Sequence, residues 1–164
     1  MFKKLFGKED KNISIVAPVN GKVVALDEVP DPVFSQRMMG DGMAIEPSDG
    51  KVVSPVDGEI VQIFPTNHAV GVKTSNGLEI LVHIGLETVS MEGEGFEGHV
   101  SQGDKVKTGD PLVTFDKDLV AEKAKAVVTP VVITNYDDAV ESFEVHQTEN
   151  ATAGETVIAS VTAK

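Results

Sequence analysis

A chain of 164 residues with a formal charge of −12 is long enough for one domain with a sizeable core, and its acidic balance excludes a nucleic-acid partner, whose phosphates demand basic surface. It has no Cys and no Trp, so disulfide frameworks and thiolate metal clusters are excluded and a reducing cytoplasm is the expected setting. No apolar run reaches the ~18–20 residues of a membrane span and no signal-peptide core opens the sequence, so the chain is expected to be neither exported nor membrane-spanning.

Residues 1–12 are expected to be a flexible N-terminal segment and residues 13–164 a single domain. Phe2, Leu5 and Phe6 fall at helical spacing beside Lys3, Lys4 and Lys8. For so short a stretch, containing Gly7, a terminus without fixed structure is the first reading. Weak peripheral contact of residues 1–8 with an anionic membrane is the second.

From Ile13 onward β-branched and polar residues alternate in short runs, punctuated about every eight to twelve residues by Gly, Asp-Gly, Asn-Gly or Pro. That pattern predicts an all-β, antiparallel sandwich or barrel with very little helix. Ala17-Pro18-Val19-Asn20-Gly21-Lys22-Val23-Val24 recurs as Ser54-Pro55-Val56-Asp57-Gly58-Glu59-Ile60-Val61, and Gly109-Asp110-Pro111-Leu112-Val113 echoes Gly154-Glu155-Thr156-Val157-Ile158. Two related sets of strands are therefore expected to interlock. Gly40-Asp41-Gly42 and the run from Gly103-Asp104 to Gly109-Asp110 read as turns, because neither precedes a helix whose N-terminus could hold a phosphate. Helical character is confined to Asp118–Lys125, a turn or two.

The stretches on either side of Ser75-Asn76-Gly77 read as a hairpin that carries His68 on one strand and His83 on the other. A turn centred between Ser75 and Asn76 sets the two histidines directly across from each other; Asn76-Gly77 as the two-residue loop makes them diagonal neighbours on one face. Only a loop with an odd number of residues separates them. Opposed Cβ atoms lie about 4.5–5.5 Å apart, close enough for two imidazoles to share a small ligand. Leu78, Ile80, Val82 and Ile84 are assigned to the core face. Thr66, His68, Val70, Val72, Glu79, Leu81 and His83 are assigned to the other, too apolar for idle solvent contact and suited to protein docking. His99 and His146 have no partner at a meaningful spacing and read as structural.

Such a pair serves zinc ligation, general base catalysis or nucleophilic attack on phosphorus. Zinc hydrolysis usually wants a third protein ligand, and neither His-x-His nor His-Glu-x-x-His accompanies the pair. Phosphorylation of His83, with His68 and Thr66 stabilising the phosphoryl oxygens, needs only the residues present.

The run from Gly77 to Val89 resembles the phosphorylation-site signature of the glucose-family enzyme IIA of the bacterial phosphoenolpyruvate-dependent sugar phosphotransferase system. Thr66-Asn67-His68-Ala69 resembles that family's second active-site histidine motif. The likeness extends from about Ile13 to the end, through Pro30-Asp31-Pro32-Val33-Phe34, Gly40-Asp41-Gly42, Gly93-Glu94-Gly95-Phe96-Glu97 and Thr129-Pro130-Val131-Val132-Ile133.

The resemblance implies a phosphocarrier with no required cofactor and no metal. His83 would take the phosphoryl group from the phosphohistidine of HPr and hand it to a cysteine on a IIB domain of a sugar permease of the glucose, N-acetylglucosamine or β-glucoside type. His68 would hold the group and Thr66 would orient His68. Val33, Phe34, Met38, Met39, Phe64, Val70, Leu81 and Val89 would form the apolar docking surface, with Asp31 and Glu87 at its rim. Glu87 stands where Asp is usual, and Val70 where some members carry an aromatic. Two alternatives stay open: a zinc-dependent hydrolase using His68 and His83, and a non-catalytic carrier or regulatory β-sandwich related to biotinyl and lipoyl domains, which share the Gly-Asp turn rhythm.

Overall fold

The computed structural model describes residues 11–164, so the N-terminal segment 1–8 and its expected membrane contact lie outside the described residues. Thirteen strands follow in order: β1 (Asn12–Val16), β2 (Gly21–Ala25), β3 (Asp41–Pro47), β4 (Lys51–Val53), β5 (Gly58–Ile63), β6 (Ala69–Lys73), β7 (Glu79–His83), β8 (Phe96–Gly98), β9 (Lys105–Val106), β10 (Pro111–Phe115), β11 (Thr129–Ile133), β12 (Val140–Val145) and β13 (Val157–Ala163). Among the described residues helix is limited to α1 (Pro32–Ser35), α2 (Lys117–Lys123), α3 (Tyr136–Ala139) and two 3-10 turns, Leu26–Glu28 and Thr88–Met91. The expected all-β fold is present. The expected helical stretch is α2, whose N-cap Asp116 accepts from the Leu119 amide. The first strand starts at Asn12, one residue inside the segment expected to be flexible. Asp41 and Gly42, read as part of a turn, open β3, and only Gly40 keeps a turn conformation with φ 125°.

Every strand pairing is antiparallel. The largest sheet runs β2-β3-β11-β7-β6-β5-β9, flanked by two three-stranded sheets, β1-β13-β12 and β4-β10-β8. The sequence repeats interlock reciprocally. The Val16 amide donates to the Pro55 carbonyl at 2.9 Å, and the equivalent Val53 amide donates to the Pro18 carbonyl at 2.7 Å. Asn20 Oδ1 accepts from the Ala153 amide, and its counterpart Asp57 Oδ1 accepts from the Thr108 amide, each at 2.7 Å. A local pseudo-twofold axis therefore relates the two halves, and Gly109 and Gly154 meet beside it, where a Cβ on Gly154 would stand 3.3 Å from the Gly109 Cα.

The central strands of the seven-stranded sheet, β3, β11, β7 and β6, are buried on both faces, their side chains alternating between them. On one face Val70, Val72, Ile80, Val82, Val131, Ile133, Met43 and Ile45 join the main core. On the other, Ala44, Ala69, Leu81 and Val132 pack with Leu26, Val29, Phe34, Leu86 and Val128 as a smaller cluster. The 3-10 turn Leu26–Glu28 and α1 supply the lid of that second cluster. Asp31 caps α1 by accepting from the Val33 amide at 3.0 Å, and Pro32 occupies the first helical turn, so a four-residue helix is held without length.

The hairpin register departs from both expected alternatives. Ala69 pairs with His83, Val70 with Val82, and Lys73 with Glu79. The loop is the odd-numbered one: the Thr74 amide donates to the Leu78 carbonyl at 2.9 Å, leaving Ser75, Asn76 and Gly77 between them, with Gly77 at φ 94°. The Thr74 hydroxyl, which accepts the Leu78 amide at 3.0 Å, stabilises this three-residue loop over the tight Asn-Gly turn. In consequence Val70 and Val72 face the core with Ile80 and Val82. Val70, expected on the docking surface, is fully buried.

Candidate active site

His83 ends β7 on the face of the smaller cluster. His68 lies outside β6, in the five-residue connection Phe64–His68 between β5 and β6, where the Asn67 amide donates to the Phe64 carbonyl at 2.8 Å and Asn67 takes a left-handed φ of 60°. The sequence argument joined the two histidines by strand parity. The structure joins them by this turn. Their ring centroids are 5.1 Å apart at 78°. Phe64 packs edge-on against His68 at 5.0 Å, and Phe34 packs against His83 at 5.1 Å.

His83 Nδ1 donates to the Gly85 carbonyl at 2.8 Å. A carbonyl only accepts, so Nδ1 carries the proton and Nε2 keeps its lone pair. Gly85 is required there: at φ 73° a Cβ would come within 2.7 Å of Thr88 Cγ2 and 2.9 Å of the Ala126 carbonyl oxygen. Burial lowers the His83 pKa, against the Gly85 hydrogen bond and the Asp31 carboxylate, which raise it. Burial, then the neighbouring His83, brings His68 down to about 4. Both rings are therefore neutral near pH 7. They differ in access, since His68 is only 2 % exposed while His83 is half-buried. The Thr66 hydroxyl lies 2.5 Å from His68 Nδ1.

The apolar collar expected to dock partners is exposed at Val33, Met38, Met39 and Val89, which are 39 %, 69 %, 36 % and 58 % exposed. Phe34 and Leu81, expected as docking surface, are buried in the smaller cluster, where Phe34 packs against the His83 ring. Phe64 and Asp31 are half-buried at the edge, and Glu87 is exposed. The collar loop is tied down by Arg37, the chain's single arginine, whose Nε and Nη1 donate to Asp41 at 3.0 Å and Asp27 at 2.6 Å. Sequence reasoning missed Arg37, the Gly85 carbonyl and the Asn67 turn. The first carried no motif, and the other two act through backbone atoms.

His99 and His146 stand apart from the pair: His99 Nε2 lies 2.7 Å from Thr114 Oγ1, and His146 Nε2 lies 3.2 Å from Ser160 Oγ. Among the described residues no group of three or more His, Cys, Asp or Glu side chains gathers to hold a metal ion, so zinc at the pair would have two protein ligands, short of the usual three or four. The hairpin tip Ser75-Asn76-Gly77 has no lysine of the kind a biotinyl or lipoyl carrier would modify. Among the described residues, no helix is long and apolar enough to cross a membrane.

Residues 13–139 match the family described as phosphoenolpyruvate-dependent sugar phosphotransferase system, EIIA 1. The chain is 60 % identical over 166 residues to the PTS system glucose-specific EIIA component of Bacillus anthracis, covering all of both chains. It is 50 % identical over 165 residues to the component of the same name from Staphylococcus epidermidis, covering 99 % of each. The glucose permease IIA of Mycoplasma capricolum superposes with a TM-score of 0.85 at 41 % identity, over 94 % of this chain and 99 % of that one. With the family match, the fold and the full-length relatives in agreement, the chain belongs to the EIIA 1 family of the phosphoenolpyruvate-dependent sugar phosphotransferase system.

Proposed function

We propose that this chain is a phosphocarrier in which His83 Nε2 takes a phosphoryl group from the phosphohistidine of HPr and delivers it to a cysteine of the IIB domain of a glucose-class permease. The observation that carries this is the His83 Nδ1 hydrogen bond to the Gly85 carbonyl, which leaves a neutral ring with its Nε2 lone pair free. The lone pair attacks phosphorus in line, the N–P bond to the donor imidazole breaks, and the donor nitrogen keeps that electron pair. In the second step a cysteine thiolate attacks phosphorus, the Nε2–P bond breaks, and neutral His83 returns. Exchange between two phosphoimidazoles is nearly isoenergetic, so positioning and charge stabilisation are the protein's tasks.

With the Thr66 hydroxyl donating to Nδ1, neutral His68 presents Nε2–H to a phosphoryl oxygen of the group on His83. No metal or cofactor enters either step. Val33, Met38, Met39 and Val89 would meet each partner in turn and exclude water from the phosphoimidazole. Asp31 and Glu87 would attract basic groups of the partner. Sequential docking demands an interface at the small, transient end of the range, below about 1,200 Å². The reading places the protein in the cytoplasm, where soluble phosphoryl donors reach the inner face of a permease.

Incubation with phosphoenolpyruvate, the general phosphotransferase enzyme and HPr is expected to add one acid-labile, base-stable phosphate. His83→Ala is expected to abolish it. Persistence of the label in that variant would sink the proposal.

A further inference from the structure

We infer that Asn67 is a positioning residue for the relay: its left-handed backbone, seated because Gly98 leaves room for its carboxamide, aims the His68 ring at His83. The inference rests on the phosphocarrier reading for its functional consequence and on the turn geometry for its structural one.

By the β6–β7 register His68 stands opposite Ile84, and its carbonyl accepts the Ile84 amide at 2.7 Å as a ladder residue would. Ile84 is fully buried in the main core. A side chain that continued β6 in regular extension would share the face of Ile84 and point into that core, away from His83. The His68 ring instead meets His83 and Phe64. The departure from regular extension coincides with the preceding turn, where Asn67 at φ 60° is the one left-handed residue among the five connecting β5 to β6. Asn tolerates that region better than most residues with a side chain.

The Asn67 side chain is accommodated by a specific gap. A Cβ built on Gly98 would lie 2.5 Å from Asn67 Oδ1 and 3.0 Å from its Cγ. Gly98 itself does not occupy the positive-φ region, so its glycine identity serves space rather than backbone conformation. It is also fixed in place, in register with Val113 of β10. The strand β8 thus bears on the posture of His68 through one side-chain contact that involves neither histidine.

Phosphoryl acceptance from phospho-HPr, phosphoryl transfer to a purified IIB domain and the imidazole ¹⁵N resonances of His68 are to be measured for the full chain and four variants: Asn67→Ala, Asn67→Gly, Gly98→Ala and the double variant Asn67→Gly/Gly98→Ala. Asn67→Ala and Gly98→Ala are expected to accept phosphate within about twofold of the parent rate but to pass it on about tenfold or more slowly, as small misplacements of a catalytic group do. Asn67→Gly, which keeps the left-handed turn without a side chain, is expected to transfer normally. In its background Gly98→Ala is expected to be silent, because nothing remains for the new methyl to strike. The His68 resonances are expected to shift in the two impaired variants and to return in the double variant. Normal transfer by Asn67→Ala, failure of Asn67→Gly, or equal impairment by Gly98→Ala in both backgrounds overturns the inference. If the parent chain takes no phosphate on His83, the phosphocarrier reading fails, and unchanged His68 resonances in Asn67→Ala would still refute the positioning role separately.

Discussion

The backbone carbonyl of His68 accepts the amide of Ile84 at 2.7 Å, which ties the residue after His83 to the histidine whose ring faces it. The spacing of the two rings is thus set by main-chain bonding, and side-chain chemistry can be changed at one ring without moving the other.

That separability gives the first expectation. His68→Gln keeps the backbone bond and offers an amide where the ring stood, so His83 is expected to accept phosphate at near the parent rate. Transfer to IIB is expected to fall by about two orders of magnitude, the usual cost of losing one aimed donor to a developing oxyanion. Quenched-flow measurement of the two half-reactions distinguishes them; an equal loss in both would deny His68 its separate role.

Acid sensitivity follows from burial. His83 must be neutral to attack, and burial holds its pKa below the ordinary imidazole value, so phosphate acceptance is expected to persist as pH falls through about 6.5. His68, at about 4 when folded against about 6.5 when unfolded, binds fewer protons in the native state across that window. Its contribution is fully present above about pH 6.5 and is lost as pH falls toward 4, by roughly 3 kcal/mol at most. Urea midpoints measured across the window are expected to drop toward acid, and His68→Gln is expected to flatten the curve.

Arg37 carries the collar. Its two ion pairs are exposed, with 45 % of its own side-chain surface accessible, so Arg37→Lys is expected to change stability by less than about 1 kcal/mol. An ammonium cannot hold Asp27 and Asp41 in a fork, and the loop bearing Met38 and Met39 then loses its fixed posture. The apparent KM for phospho-HPr is expected to rise about three- to tenfold with kcat retained. A fall in kcat at constant KM would show that Arg37 acts on the chemistry instead.

Gly85→Ala tests the support of the nucleophile. The methyl would crowd Thr88 and the Ala126 carbonyl in a left-handed conformation, at a cost of about 2–3 kcal/mol. Displacement of the Gly85 carbonyl should also shift the His83 Nδ1–H resonance. A destabilised protein with that resonance unmoved would separate packing at residue 85 from control of the tautomer.

The all-β class was legible because alternation and Gly or Pro punctuation act locally, and the interlocked halves because Asn20 and Asp57 repeat a turn whose side-chain bond repeats with it. The histidine pair was legible by residue and illegible by geometry. Asn76-Gly77 signals a two-residue loop, yet the Thr74 hydroxyl captures the Leu78 amide and lengthens it by one, which turns Val70 inward. A one-residue slip would have parted the histidines had Asn67 not turned the chain back, an effect carried by one φ angle that no alternation pattern records. Likewise Phe34 and Leu81 are assigned to the docking surface by the family resemblance; they are buried because α1 folds over the second face of the sheet.

The central claim is that His83 Nε2 is the phosphorylated atom. It is tested most directly by ³¹P–¹⁵N correlation spectroscopy of the imidazole-labelled protein after phosphorylation by HPr. A single N–P coupling to His83 Nε2, with Nδ1 still protonated and bonded to Gly85, is the expected result. Coupling to Nδ1 of His83, or to either nitrogen of His68, would contradict it.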